Sequence, residues 1–235
     1  MPSPATPPDH RPRVAAEKRE RMRARLVETA LEVFAERGVG ASVIQEVIAR
    51  AGVSQGTFYN YFRTNEDLLQ AVSQELNNEL VQWIEGAVLR HADPAQRLAD
   101  GVRLYMHKAR AFPLFGRFLV QAGLGLASPA NQIYVNVPPH IEAGFAQGRF
   151  ERMPMAVALD FVSGSAMAAI ARMASEPVAD DYPEQIVATL LHALGMSAAE
   201  ARAIAFAPLA ALNLPPESLA VRASQRMAAR EETAA

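Results

Sequence analysis

The stretch SVIQEVIARAGVSQGTFYNYFRTNED, from Ser42 to Asp67, constrains the chain more than any other. It reads as two short helices joined by a tight turn. Ser42 can accept a hydrogen bond from a first-turn N–H, and Gln45 can reach back to complete a capping box, so a helix is expected to start there. Val43, Ile44, Val47 and Ile48 recur at spacings of three and four as one inward stripe, which stops at Ala51 and Gly52. Gly52 can take a left-handed backbone conformation and turn the chain. Ser54 then caps a second helix, expected over roughly 55–61. In it Phe58 and Phe62 anchor inward, while Gln55, Thr57, Tyr59, Asn60 and Tyr61 form the outer surface. This is the spacing of a helix-turn-helix, whose second helix enters the major groove of double-stranded DNA.

The run AGVSQGTFYNYF, Ala51 to Phe62, followed by NEDLL from Asn65 to Leu69, resembles the DNA-binding domain of TetR-type transcriptional regulators. A turn glycine, a capping serine, a Gly-Thr-Phe-Tyr core and an acidic-leucine helix start occur together and in order. The resemblance implies an all-α fold, with a three-helix DNA-binding module followed by a larger helical ligand-binding and dimerisation domain. It carries Tyr59 to the family's phosphate-contacting tyrosine. It also places Asn65 where the family commonly has a phosphate-contacting lysine, so one charge-assisted contact is replaced by a neutral one or lost. Gln55, Thr57, Asn60 and Tyr61 are candidates for base edges, since an amide can pair with adenine and a threonine methyl can touch thymine. Ser42 and Ser54 can add phosphate contacts beyond capping.

A net charge of −2 argues against a generally basic nucleic-acid binder, but the charge is unevenly spread. Residues 1–63 hold ten Lys/Arg against seven Asp/Glu, and residues 64–235 hold thirteen against eighteen. Seven of the basic residues lie between Arg11 and Arg25, Arg23 among them, which is enough to neutralise phosphates. Five prolines in the first twelve residues make 1–15 an expected disordered arm. The DNA-binding domain is then expected over 16–63, the ligand-binding and dimerisation domain over 64–212, and a C-terminal tail over 213–235, either a loose helix or irregular. With no cysteine there is no disulfide or thiolate site, and the five histidines lack ligand spacing, so no metal or cofactor is expected. No uninterrupted apolar run reaches the roughly 18–20 residues of a membrane span, so a cytoplasmic protein without a membrane partner is expected.

A helix is expected from near Thr64 to about His91, leaving one domain and entering the other, able to transmit displacement between them. Helices should follow from Pro94 to Ala111 and from Pro113 to about Ala127. Pro138 and Pro139 should kink or split a helix over 131–147. Two apolar helices open at Pro154 and at Tyr182-Pro183. Gly164 and Ala168 on the first, with Ile186, Leu190 and Leu194 on the second, are the expected homodimer surface, because the pair resembles the family's dimer bundle. Tyr105, Phe118, Tyr134 and Phe161, with Arg117 and Gln121, are the expected lining of a small-molecule effector site; Arg103, His107, Asn131 and His140 complete the polar candidates. The function expected is a dimeric, ligand-responsive repressor that binds a palindromic operator and is released by a small hydrophobic or amphipathic effector. The alternative is a helical small-molecule-binding protein with a vestigial DNA module. Nothing speaks for an enzyme, since there is no glycine-rich phosphate loop, metal-ligand spacing or paired carboxylate site.

Overall fold

A computed structural model describes residues 11–122 and 131–234, and within them every regular element is a helix. The arm before Arg11 and the expected helix end near Ala127 lie outside the described residues. The first helix, α1 (Arg11–Arg37), begins earlier than expected, so the basic run is helical rather than part of an arm. It packs across α2 (Ile44–Ala51), which α3 (Gln55–Tyr59) follows. Leu26, Ala30, Phe34, Val47 and Phe58 are fully buried. This is the hydrophobic core that a module of such short helices needs, because helices of five and eight residues have little stability alone.

The turn between α2 and α3 closes as a Schellman motif. Gly52, at φ 61°, donates to the Ala49 carbonyl, and Val53 donates to the Ile48 carbonyl, each at 3.2 Å. Any residue with a Cβ would be strained there. α4 (Asn65–Val88) starts with a full capping box. The Thr64 hydroxyl accepts the Asp67 N–H at 3.0 Å, and the Asp67 carboxylate accepts the Thr64 N–H at 3.2 Å. Its 24 residues make a rod of roughly 36 Å that runs out of the DNA module and into the body of the protein.

The body is built from α5 (Pro94–Ala111), α6 (Pro113–Ala122), α7 (Ile133–Ala146), α8 (Met155–Ser175), α9 (Tyr182–Ala193) and α10 (Ala198–Ala205). Of the two expected effects, a kink or a split, Pro138 and Pro139 do not split α7. The two missing N–H groups would have reached the carbonyls of Tyr134 and Val135 in its first turns, where Val135 and Pro139 are exposed, so the loss falls on a wet stretch. At the other end of α7 the ring of Phe150 packs so close to Gly144 that a Cβ there would sit 2.1 Å from it. Among the described residues α8 alone has the length and mean hydropathy of a membrane span. It nonetheless carries Asp160 and Arg172, and its Ala158, Val162, Ala169 and Ile170 are buried within the body.

Of the two expected forms of the C-terminal segment, the helix is found, as α11 (Leu219–Ala234). Glu79 of α4 accepts the Leu219 N–H at 2.8 Å and so caps the helix, while Arg222 pairs with Glu28 of α1. The DNA module is also tied to the body by Arg23–Glu75 at 2.9 Å and by an edge-to-face contact of Phe34 with Phe118 of α6, centroids 5.6 Å apart.

Candidate nucleic-acid interface and ligand cavity

α3 presents a polar surface over an aromatic anchor. Phe58 is fully buried, touching Tyr59 edge-on at 5.5 Å and Phe62 at 5.9 Å. Above it Gln55, Gly56, Tyr59 and Asn60 are exposed and Thr57 and Tyr61 half-buried. Ser54 accepts the Thr57 N–H at 3.1 Å, and the two hydroxyls lie 2.9 Å apart, so Thr57 is held with its methyl as its free feature. Gln55 donates to Gln45 of α2 at 3.3 Å, which fixes its amide beside the helix that precedes it. Arg19 of α1 stacks over Tyr61 at 5.7 Å from the ring centroid. Lys18, Arg19, Arg21, Arg25 and Arg63 are exposed and form no ion pair among the described residues. These cations, not a disordered arm, are the positive charge available to phosphates.

Three expected contacts are placed differently. Ser42 is exposed but caps nothing; α2 has Val43 at its N-cap, with no side-chain cap. Asn65 does that work instead. Its carbonyl oxygen accepts the Val43 N–H at 3.1 Å and its amide donates to the Ala41 carbonyl at 3.1 Å, so the side chain faces inward rather than toward a phosphate. Arg23 is half-buried and held by Glu75, bracing α1 on α4. Asn65→Ala should therefore lower stability by about 1–2 kcal/mol, through loss of two hydrogen bonds and an unpaired Val43 N–H. Thermal denaturation checks this, and an unchanged melting temperature contradicts it.

A cavity of about 70 Å³ opens between α4, α5, α7 and α8. Its walls are mainly aliphatic, from Val81, Ile84, Val88, Leu98, Val102, Ile133, Val137, Val162 and Ala166, with Glu85, Arg97, Tyr105, Asn136 and His140 as polar or amphipathic members. Of the six expected lining residues, Tyr105 is in this wall. Its ring is buried and its hydroxyl donates to Asn77 at 2.5 Å, a position where desolvation pushes the phenol pKa up. Asn77 in turn donates to Asn131 at 2.6 Å, which pins the start of α7 to α4. The others lie elsewhere. Phe118 is fully buried against Phe34, Arg117 and Gln121 are exposed on α6, Tyr134 is half-buried outside the wall, and Phe161 is on the outer face of α8. The aliphatic wall of α4 reads in the sequence as ordinary core, so only His140 among the broader polar candidates pointed to this place.

The expected dimer residues also separate. Gly164 and Ala168 are exposed on α8, in line with Val157 and Phe161, and Ile186 is half-buried. Leu190 and Leu194 are taken up inside the single chain, 2% and 0% exposed, because the stripe on α9 packs on α5 and α10. Beneath it Arg103, 4% exposed, donates to Asp100 at 3.1 Å and to Glu184 of α9 at 3.3 Å, and His107 lies 2.8 Å from the same Glu184 oxygen. Among the described residues no three His, Asp or Glu side chains converge as a metal site requires.

Residues 26–72 match the model of the tetR family of bacterial regulatory proteins, and residues 93–207 match the tetracyclin repressor-like C-terminal domain. In three dimensions the chain is similar to RolR bound to resorcinol, with a TM-score of 0.74 and 33% identity over 84% of this chain and all of that one. Without ligand RolR gives a TM-score of 0.72 and 31% identity over 81% of this chain. The transcriptional repressor DhaR of Mycobacterium sp. (strain GP1) is 37% identical over 67 residues, 28% of this chain and 34% of that protein. The transcriptional activator FasR of Mycolicibacterium smegmatis is 34% identical over 87 residues, 37% of this chain and 40% of that protein. The match thus spans well under half the length of these curated relatives. With a helix-turn-helix of this geometry, both parts of the chain matched in order and a like-folded relative aligned over its full length, the chain belongs to the TetR family of bacterial transcriptional regulators.

Proposed function

We infer that the protein is a cytoplasmic homodimeric repressor that binds a palindromic operator and is released when a small hydrophobic or amphipathic effector enters the cavity. One observation carries this reading: α4 belongs to both sites. Its first residue, Asn65, grips the entry to α2, while Val81, Ile84, Glu85 and Val88 near its far end form one wall of the cavity. A helix moves largely as a rigid body, so an occupant that wedges the far end displaces the DNA module at the near end. The bound resorcinol of RolR and the repressor role of DhaR support the reading. The activator role of FasR makes the direction of control a matter for experiment.

Two copies of α3 are needed to read two half-sites, and the exposed apolar line Val157, Phe161, Gly164 and Ala168 on α8 is the surface for the second copy. Tyr59→Ala should weaken operator binding about tenfold and about equally across operator variants, because the contact is to phosphate rather than to a base. An unchanged affinity at fixed salt contradicts the assignment of this surface. For the direction of control, a reporter behind the operator should rise when the gene is deleted; a fall identifies an activator.

A further inference from the structure

The polar groups of the cavity narrow what it holds, and this step rests on reading the cavity as the effector site. We propose that the effector is an uncharged molecule the size of a single ring that carries a hydroxyl group. The cavity volume of about 70 Å³ is below the roughly 150 Å³ of an apolar cavity that holds benzene. A single ring is the occupant nearest to this cavity in size, admitted by small rotamer shifts of the wall.

Two polar side chains of the wall are already spent. The Tyr105 hydroxyl donates to Asn77, and the Ser163 hydroxyl donates to the Leu159 carbonyl at 2.8 Å. Two others are not. His140 is 5% exposed, and its Nε2 lies 3.0 Å from the Glu85 carboxylate, an acceptor that fixes the proton on Nε2. Its Nδ1 is then a lone pair, buried and without a partner, which requires a donor. Arg97 Nε–H is likewise buried without a partner and requires an acceptor. A hydroxyl is the smallest group that supplies both. A carboxylate can accept from Arg97 but cannot donate to Nδ1, and an ammonium can donate to Nδ1 but cannot accept from Arg97, so each leaves one buried group unpaired, which is costly.

The test is calorimetric binding of the full-length protein to phenol, toluene, benzoate, benzylamine and palmitoyl-coenzyme A. Phenol is expected to bind about tenfold tighter than toluene, the worth of roughly one hydrogen bond, with both ions weaker still. His140→Leu should bring phenol and toluene to equal affinity. Gly101→Leu should abolish both, since Gly101 lines the cavity and a Cβ there is 3.9 Å from its nearest neighbour, an ordinary contact; an unchanged circular dichroism spectrum checks that the variant folds. The hydroxyl assignment is overturned, with the effector site left standing, if toluene or either ion matches phenol, if the preference survives His140→Leu, or if only palmitoyl-coenzyme A binds. Phenol binding that survives Gly101→Leu lies outside the cavity and also overturns it. No binding by any of the five overturns both the hydroxyl assignment and the effector site.

Discussion

Arg103→Ala is expected to destabilise the protein by about 3–5 kcal/mol, because it leaves the buried carboxylates of Asp100 and Glu184 without their shared cation. The melting temperature should fall on the order of 10 °C for a chain of this size. Arg172→Ala is the contrast. Its partner Glu176 is one turn away on an exposed surface, and removal should cost no more than about 0.5 kcal/mol. Equal effects of the two substitutions would contradict the weight given to burial. The same group gives the pH response. Burial alone would raise the Glu184 carboxyl, but the hydrogen bond from His107 and the charges of His107 and Arg103 outweigh it and hold it below its ordinary value of 4.5. A carboxyl lowered in the folded state adds stability that is fully present above 4.5 and is lost as pH falls through its lower folded value. Removing Arg103 should narrow that window from the acid side. Because the network fastens α9 to α5, a wall of the cavity, the variant should also loosen the body around its ligand.

Phe58→Ala should cost about 3–5 kcal/mol as well, but the damage is confined to the other end of the molecule. The ring is fully buried beneath a recognition helix of only five residues and is the buried side chain within that helix. Operator affinity should drop at least a hundredfold while phenol binding in the cavity persists. An affinity within threefold of the parent protein would show that α3 is positioned by something other than this anchor.

These residues also show what a sequence can and cannot disclose. Gly52 and Ser54 were legible because turns and caps are local: each acts on backbone within a few positions of itself. Asn65 was not, since its partners Ala41 and Val43 are more than twenty residues away, and an amide gives no hint of which backbone it will meet. Arg23 belonged to a basic run in the sequence and to Glu75 in the fold. On α9 the periodicity gave a correct apolar stripe, yet a stripe does not say whether its neighbour is the same chain or a second copy; Leu190 and Leu194 face the same chain. The cavity was hidden for a related reason. Its wall is made by Val81, Ile84 and Val88, spaced like any core face, whereas the more conspicuous aromatic Phe118 fills the contact between module and body. The C-terminal helix α11 is received by Glu79 and Glu28, partners far away in sequence.

The central claim is that α3 reads DNA under the control of the cavity. The most direct measurement is selection of bound fragments from a random DNA pool by the full-length protein, followed by titration of the enriched sequence with and without phenol. A two-fold symmetric sequence bound by two copies is expected, with affinity falling when the cavity is filled. No enriched sequence, or the same affinity with and without a compound shown to occupy the cavity, would contradict it.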